Sequence, residues 1–287
     1  MASSESRGPP TPRDPAQEQV VEACELNYID YWKSATAASA NEWSDEGGIE
    51  RCITGLHQEI FNVVLRCQLS PENASHRIDR VIGECRARRI PMIWHVGRTT
   101  APEGLGSLLE ERGFPHDYDL VAMAVDLSKT TGSKPAPDGV SVRTCVSRGD
   151  REDWIDCLTR SWDSPDEVKR WMLTNPFFIE EGHPSYKRFS SRVMYLGSFD
   201  GTPCAAMMML ASRGSAGLQC VGTIAEFRRK GVGEALVRAA MRDASASGHG
   251  HLLVLSTTEG VPLYRKAGFR EYGKLQEHSL YFDRMPP

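Results

Sequence analysis

Residues 218–234 read Leu-Gln-Cys-Val-Gly-Thr-Ile-Ala-Glu-Phe-Arg-Arg-Lys-Gly-Val-Gly-Glu. The apolar run Leu218 to Ile224 predicts a strand, and the run Glu234 to Ala246 predicts a helix. The turn between them contains three cations and two glycines, Gly231 and Gly233. The first N–H groups of a helix have no intrahelical partner, and the positive end of the helix dipole lies beside them. Because glycine has no Cβ, the backbone of this turn can approach a phosphate closely, so the stretch predicts an anion site.

The turn does not fit the two best-known phosphate motifs. It lacks the Gly-x-x-x-x-Gly-Lys-Ser/Thr of a Walker loop, and Leu236 occupies the third glycine position of the dinucleotide fingerprint. Instead, residues 228–233 resemble the Arg-x-x-Gly-x-Gly pyrophosphate loop of the GNAT superfamily of acyl-CoA-dependent N-acetyltransferases. A second part of that family's pattern follows, as a buried strand over 251–256 and then Gly-Val-Pro-Leu-Tyr-Arg-Lys-Ala-Gly-Phe at 260–269. Two weak motifs in the expected order make the resemblance specific.

Length and composition predict an ordinary soluble chain. Its 287 residues leave room for two domains of roughly 130 to 150 residues, each with its own core. The formal net charge is −4, whereas a nucleic-acid binder is expected to carry a basic face, so we expect no nucleic-acid partner. The eight cysteines include no Cys-x-x-Cys pair, which predicts reduced thiols, no metal site and a cytoplasmic protein. No signal peptide and no apolar run of about 18 residues are recognisable, so we expect no membrane partner.

Composition shifts predict four segments, namely a disordered tail over 1–16, a first domain over 17–127, a linker over 128–139 and a second domain over 140–287. In the second domain we predict a strand over 140–145, helices over 150–160 and 165–173, and a hairpin of 193–199 with 204–210. Asp200-Gly201 is a strong two-residue turn signal for that hairpin. The motif region and a closing strand near 276–282 complete the order found in the GNAT family.

The first domain resembles a degenerate copy of the second. We predict a helix over 17–34, strands near 50–54 and 61–66, a helix over 71–88, a strand over 92–96, a helix over 105–112 and a strand over 118–127. Both domains end in strand, loop, helix, Gly-Phe and strand. In the first domain no glycine occurs between Leu65 and Pro71, and Leu109 stands where the second has Tyr264. The expected fold is therefore α/β (α+β), as two tandem GNAT folds, each with a mixed, mostly antiparallel sheet flanked by helices, and the first binds no CoA.

The resemblance implies acetyl-CoA as co-substrate and assigns a set of site residues. A splayed strand would pair with pantetheine through backbone groups, and the next loop would bind the pyrophosphate through backbone amides. These binding residues are Val221, Gly222, Thr223, Arg228, Arg229, Lys230, Gly231, Val232, Gly233 and Glu234. Gly222 marks either close approach of another group or a simple bulge. Tyr264 matches the family's general acid, and the alternative is a tyrosine that packs in the core.

The base and the acceptor site are less well defined. Glu259 ranks above Glu226 as a candidate base, and deprotonation through ordered water is an alternative. Trp154, Trp162 and Trp171 either line an aromatic cleft for an amine or belong to the core. Met207, Met208 and Met209 predict a central strand and not a copper site.

The sequence therefore predicts an acetyltransferase that moves an acetyl group from acetyl-CoA to an amine of a small molecule. The alternatives are a protein or peptide N-acetyltransferase, and a non-catalytic acyl-CoA sensor or scaffold. The sequence leaves open the acceptor, the acyl chain length and the oligomeric state.

Overall fold

A computed structural model describes residues 15–39, 42–130 and 135–281 of the chain. The expected disordered tail lies outside these residues up to position 14, as do four residues of the expected linker, 131–134.

The first half of the chain contains three helices and five strands among the described residues. They are α1 (Pro15–Ala37), β1 (Glu42–Glu46), β2 (Ile49–Ile53), β3 (Asn62–Cys67), α2 (Pro71–Arg88), β4 (Met92–Val96), α3 (Leu105–Glu110) and β5 (His116–Asp126). The second half continues with β6 (Val140–Thr144), α4 (Arg148–Ser161), α5 (Asp166–Thr174), α6 (Pro176–Ile179), β7 (Ser191–Phe199), β8 (Thr202–Ser212), β9 (Ser215–Thr223), α7 (Val232–Ala246), β10 (His251–Ser256), α8 (Val261–Lys266) and β11 (Arg270–Leu280). Most predicted elements are confirmed, but β1 was not predicted and β11 starts at Arg270 instead of near Gln276.

Local sequence explains several of these boundaries. The β7–β8 hairpin turns through Asp200 and Gly201, which both have positive φ, 48° and 78°, as a type I′ turn requires. Helix α4 begins with a capping box, in which the Ser147 side chain and the Asp150 side chain each accept a backbone N–H of the other.

All eleven described strands form one sheet in the order β1-β2-β3-β4-β11-β5-β10-β9-β8-β7-β6. The last strand of the chain, β11, lies between β4 and β5 and pairs antiparallel with both. Strand β5 in turn pairs antiparallel with β10 of the second half. Only the β3–β4 and β9–β10 pairs are parallel. The mostly antiparallel α/β architecture is confirmed, whereas the division at 128–139 stays a prediction because the strands of the two halves alternate at the centre.

Helices cover both faces of the sheet. Gly222 of β9 lies under α4, where a Cβ would collide with Ser161. The next residue, Thr223, lies against the start of α7, with its hydroxyl 3.6 Å from the position of a Cβ on Gly233. Because consecutive strand residues point to opposite faces, α4 and α7 lie on opposite sides of the sheet.

Helix α1 belongs to the first half by sequence but contacts β9, β10, β5 and β11 at the centre of the sheet. Asn27 donates to the Leu210 carbonyl at 3.0 Å and accepts from Gln219 at 3.0 Å. The Asp30 carboxylate accepts two hydrogen bonds from the Arg213 guanidinium, at 2.8 and 3.1 Å. These contacts fix α1 on the same face as α4.

Residues Met207, Met208 and Met209 are fully buried in β8, as a central strand requires. The eight cysteines are all free thiols, and six of them are buried. Within residues 15–39, 42–130 and 135–281, no helix has the length and apolar character to cross a membrane.

Candidate active site

The central feature of the candidate site is a gap between two parallel strands. Strands β9 and β10 pair only from Ala216 to Leu218 and from Leu252 to Val254. Beyond these pairs β9 continues to Thr223 and β10 to Ser256, so the two strands diverge. The β9 residues along this gap, 220–223, are all partly exposed. The predicted splayed strand is therefore present, and the edge of β9 that faces β10 is not paired with it there.

A β-bulge lies at the start of the gap. The β8–β9 register changes between the pairs Met208–Gln219 and Ala206–Gly222, and Cys220 has a positive φ of 53°. Two β9 residues thus oppose one β8 residue, which bends the strand away from its neighbour. Gly222 follows the bulge, and its missing Cβ makes room for Ser161 of α4. Gly222 therefore allows another group to approach the strand closely, but that group is helix α4 of the protein itself.

The predicted phosphate loop leads directly into α7. Gly231 precedes the helix with φ 88°, and Ala235 N–H donates the first helical hydrogen bond, to the Gly231 carbonyl at 3.0 Å. A Cβ on Gly231 would lie 2.7 Å from Pro137, so this glycine is required by the fold itself. A Cβ on Gly233 would have only ordinary contacts, 3.5 Å from Leu263 and 3.6 Å from Thr223. Packing does not require glycine at 233, which fits a position that a phosphate must approach.

The cations of the loop differ in their surroundings. Arg228 donates to the carbonyls of Thr223 at 3.0 Å and Ser161 at 3.1 Å, and so ties the loop to β9 and α4. The Lys230 ammonium lies over two rings, 4.4 Å from that of Phe199 and 5.1 Å from that of Phe227. Arg229 is exposed and has φ 66°. Two of the three cations of the turn are therefore held by neighbouring groups.

Glu234 in the first turn of α7 is engaged through its side chain. Its carboxylate pairs with Lys266 at 2.6 Å and with Arg238 at 2.9 Å. These partners, Lys266 first, lower the pKa of the carboxyl. The pair with Lys266 ties α7 to α8, so the Glu234 side chain holds two helices together.

Tyr264 on α8 is buried, with 4% of its surface exposed, and its ring lies 5.4 Å from that of Phe269. Burial raises the pKa of its phenol above the ordinary value of 10, so the hydroxyl is protonated at neutral pH. Leu263, the preceding residue, and Thr223 of β9 both lie beside Gly233. The structure thus brings the phosphate loop, the end of β9 and the helix of Tyr264 together.

The predicted bases lie at the surface. Glu259 is exposed in the turn between β10 and α8. Glu226 is exposed and pairs with Arg160 at 3.3 Å. The assignment of Glu259 as base stays a prediction.

The three tryptophans of the expected acceptor cleft do not share one surface. Trp154 is fully buried and donates from Nε1 to the Met207 carbonyl at 3.0 Å. Trp171 packs against the rings of Phe61 and Phe178. Trp162 is 37% exposed at the end of α4. Trp154 is thus core, and an aromatic cleft made of all three is wrong.

Residues of α1 that the sequence analysis did not single out lie over the gap instead. The Tyr31 hydroxyl is 3.2 Å from Cys220 Sγ at the bulge, and the Tyr28 and Tyr31 rings are 6.2 Å apart. The helical pattern of α1 was recognisable, but the strands that it covers depend on contacts with residues almost 200 positions away.

The equivalent gap in the first half is closed by the chain itself. Strands β3 and β4 pair only at Val63–Ile93 and Val64–Trp94. Past these pairs Ala101 occupies the edge of β3, with its N–H 2.7 Å from the Cys67 carbonyl and its carbonyl 3.1 Å from the Leu69 N–H. Pro71 in the first turn of α2 also lacks an N–H donor. Among the described residues, the edge of β3 at this gap is therefore not open, and no glycine lies between Leu65 and Pro71 before α2.

Comparison with known proteins agrees with this geometry. Residues 191–271 match the family model of the acetyltransferase (GNAT) domain. A comparison with curated proteins finds no significant match.

Several solved structures share the fold over most of the chain. A GCN5-related N-acetyltransferase from Kribbella flavida superposes with a TM-score of 0.64 at 14% identity, covering 88% of this chain and 94% of its own. A GCN5-related N-acetyltransferase from Sphaerobacter thermophilus gives a TM-score of 0.59 at 15% identity, with 81% and 76% covered. A tandem GNAT protein from the clavulanic acid biosynthesis pathway gives 0.57 at 10% identity, with 90% and 95% covered. Residues 191–271 are therefore similar to the acetyltransferase (GNAT) domain, and the chain shares its fold, over most of its length, with GCN5-related N-acetyltransferases, including a tandem one.

Proposed function

We propose that the second half of the chain is a cytoplasmic acetyltransferase that moves an acetyl group from acetyl-CoA to an amine of a small molecule. The observation that carries the proposal is the gap between β9 and β10, which leaves a free strand edge beside the glycine-rich start of α7. The first half, whose gap is closed by Ala101, contributes structure and part of the acceptor site.

The residues present suit acetyl-CoA. The backbone N–H groups of Val232 and Gly233 lie in the first turn of α7 and have no helical acceptor, so they can donate to the pyrophosphate. The free edge of β9 at Val221 and Gly222 can pair with the two amides of the pantetheine arm, as a neighbouring strand would. When bound, acetyl-CoA supplies the activated acetyl group as a thioester.

The protein then has to favour attack by the amine and departure of the thiolate. A β9 N–H near the bulge can polarise the thioester carbonyl. Glu259 or a water molecule first accepts a proton from the ammonium of the acceptor, which leaves a neutral amine. The amine forms a bond to the carbonyl carbon, the C–S bond breaks, and the phenol of Tyr264 gives its proton to the sulfur. The attacking nitrogen then loses a proton, which returns to the Tyr264 phenolate and leaves the neutral amide.

The position of helix α1 favours a small-molecule acceptor over a protein acceptor. It covers the face of the sheet over the bulge, with Tyr31 against Cys220. An extended peptide would need an open groove along this face, whereas a small amine needs only the mouth of the gap. A non-catalytic acyl-CoA sensor would not need a protonated phenol at position 264.

The test is release of free thiol from acetyl-CoA across a panel of small amines, polyamines, amino acids and peptides. Gly233→Glu should abolish the activity because it places a carboxylate where the pyrophosphate binds. Gly83→Glu is the matched control, since Gly83 is exposed on α2 of the first half and a Cβ there meets no atom. Equal thiol release with and without every amine, or full activity of Gly233→Glu, would refute the proposal.

A further inference from the structure

A row of three polar side chains crosses the centre of the sheet. His95 of β4 is paired with Glu277 of β11, and Glu277 is paired with Tyr118 of β5. His95 Nε2 lies 2.8 Å from Glu277 Oε1, and these two residues are 1% and 2% exposed. Directly paired residues share a face of the sheet, and Ile93, two residues before His95, belongs to the core beneath α1. The row therefore lies under α1.

The row is located just past the mouth of the gap. Ser256, the last residue of β10, is paired with Val121, so β5 from Leu120 back to His116 extends beyond the end of β10. At about 3.4 Å per residue, Tyr118 lies roughly 10 Å beyond that end. Thr223 lies five residues past the last β9–β10 pair and so reaches a similar level on the other side of the gap.

Helix α1 connects the row to the bulge. The Tyr28 ring lies 5.4 Å from the His95 ring, and one turn later Tyr31 contacts Cys220. Tyr28 and Tyr118 are each only partly buried. Glu277 is thus recessed behind two tyrosines that are each partly exposed, on the face that α1 covers.

The Glu277 carboxylate is paired with an imidazole, and with no lysine or arginine among the described residues. Its buried Oε2 has no hydrogen bond of standard geometry among those residues, although the Tyr118 hydroxyl interacts with the carboxylate as a donor. Across the described ranges its ion-pair partner is His95, and neither lysine nor arginine lies within 4.0 Å. Burial, reinforced by Glu277, raises the pKa of Tyr28 and Tyr118, so both remain neutral phenols. A buried carboxylate without a full counter-charge is unfavourable, and a bound cation would relieve it.

We propose that Glu277 holds a protonated amine of the acceptor, with the rings of Tyr28 and Tyr118 around it and His95 positioning the carboxylate. An ammonium fits because it pairs with a carboxylate and binds to aromatic faces. Three strand spacings, on the order of 14 Å, separate the β11 and β9 backbones at the mouth. The amine held at Glu277 is therefore not the amine that is acetylated, and the acceptor is a diamine.

This inference rests on the proposed acetyltransferase function, and it names the class of acceptor. It is tested by comparing 1,8-diaminooctane, whose two amines are far enough apart to reach from Glu277 to the gap, with n-octylamine, which has the same carbon chain and one amine. We expect the wild-type chain to have a KM for the diamine that is roughly 10- to 100-fold lower, as for a hydrogen bond to a charged group. Glu277→Gln should raise the KM of the diamine to that of n-octylamine and leave the KM of acetyl-CoA unchanged.

Glu25→Gln is the matched control. Glu25 is also a buried carboxylate, but its oxygens accept from the N–H groups of Arg98 and Thr99 at 2.8 and 2.9 Å. It should lower Tm and keep the diamine preference, whereas Glu277→Gln should keep or raise Tm because it removes an unbalanced charge.

A thermal shift separates this inference from the proposed function. The diamine should raise the Tm of the wild-type chain without acetyl-CoA, and should not raise that of Glu277→Gln. If neither amine is acetylated, the proposed function fails, and the thermal shift still tests the site. Equal KM values for the two amines in an active wild-type chain would overturn the inference alone, and so would a Glu277→Gln chain that does not fold.

Discussion

Removal of the Tyr264 hydroxyl separates its chemistry from its packing. Tyr264→Phe keeps the ring, its 4% exposure and its contact with Phe269 at 5.4 Å. The loss of one hydroxyl should cost at most about 1 kcal/mol of stability, which corresponds to a decrease in Tm of roughly 2 to 4 °C. Loss of a general acid should instead lower kcat by roughly 10²- to 10⁴-fold, or about 3 to 5 kcal/mol of transition-state stabilisation.

The assay is thiol release at saturating acetyl-CoA and amine, with acetyl-CoA affinity measured by calorimetry. Affinity should be nearly unchanged, because the proton is needed only when the thiolate leaves. Burial raises the pKa of Tyr264 above 10, so this group should cause no loss of kcat as the pH rises from 7 to 10. Tyr195→Phe is the matched control. Tyr195 is also buried, and its hydroxyl donates to Asp243 at 2.7 Å. Tyr195 lies on β7, away from residues 228–233 in the sequence.

A Tyr264→Phe chain whose kcat stays within a few-fold of wild type would refute the acid role. Slow product release can hide a change in the chemical step, so a single-turnover measurement has to accompany the steady-state assay. If the single-turnover rate is also unchanged, water protonates the thiolate.

The structure supports three further predictions. Gly233→Glu should abolish CoA binding in calorimetry, whereas Gly83→Glu should keep it. Unchanged CoA affinity of Gly233→Glu would contradict the loop assignment. Gly231 is unsuitable for this test because its φ of 88° requires glycine for folding. Titration with CoA should saturate at one molecule per chain, because Ala101 closes the gap of the first half, and a stoichiometry of two would contradict that reading. Burial raises the pKa of Cys24 and Cys67 to about 12 and that of Cys85 to about 11, above the unfolded value of 9.0. The stability that these thiols contribute is complete below pH 9 and is lost as the pH rises toward 11 to 12. Urea unfolding in reductant should therefore give a lower free energy of unfolding at pH 10 than at pH 7. An equal free energy at both pH values would contradict the burial of the thiols.

The elements with a local signal were predictable. The Asp200-Gly201 turn fixed the register of the hairpin, and Pro71 marked the start of α2, because turn and helix-start preferences act over a few residues. The motif of residues 228–233 predicted the turn between β9 and α7 for the same reason, while its role as a phosphate loop stays a prediction. The path of β11 was not predictable, since strand neighbours depend on pairing between distant segments and not on the sequence of one strand.

The same limit applies to the candidate site. Sequence reasoning considered an acceptor cleft at Trp154, Trp162 and Trp171, with the core as the alternative, and these residues are close along the chain but not on one surface. It did not single out Tyr28, His95 or Glu277, which are 67 and 182 positions apart. Only the sheet order, with β11 between β4 and β5, brings these residues together.

The position of β11 also determines when the protein can fold during synthesis. Strand β5 lies between β10 and β11, and β4 lies beside β11, so both strands of the first half await neighbours that the ribosome produces more than 100 residues later. Until residues 270–280 emerge, the nascent first half exposes unpaired strand edges that can associate with other chains. A premature stop before β11 therefore does not leave one intact half and one damaged half. It leaves two incomplete sheets, and such a chain is a substrate for chaperones and proteases over its whole length.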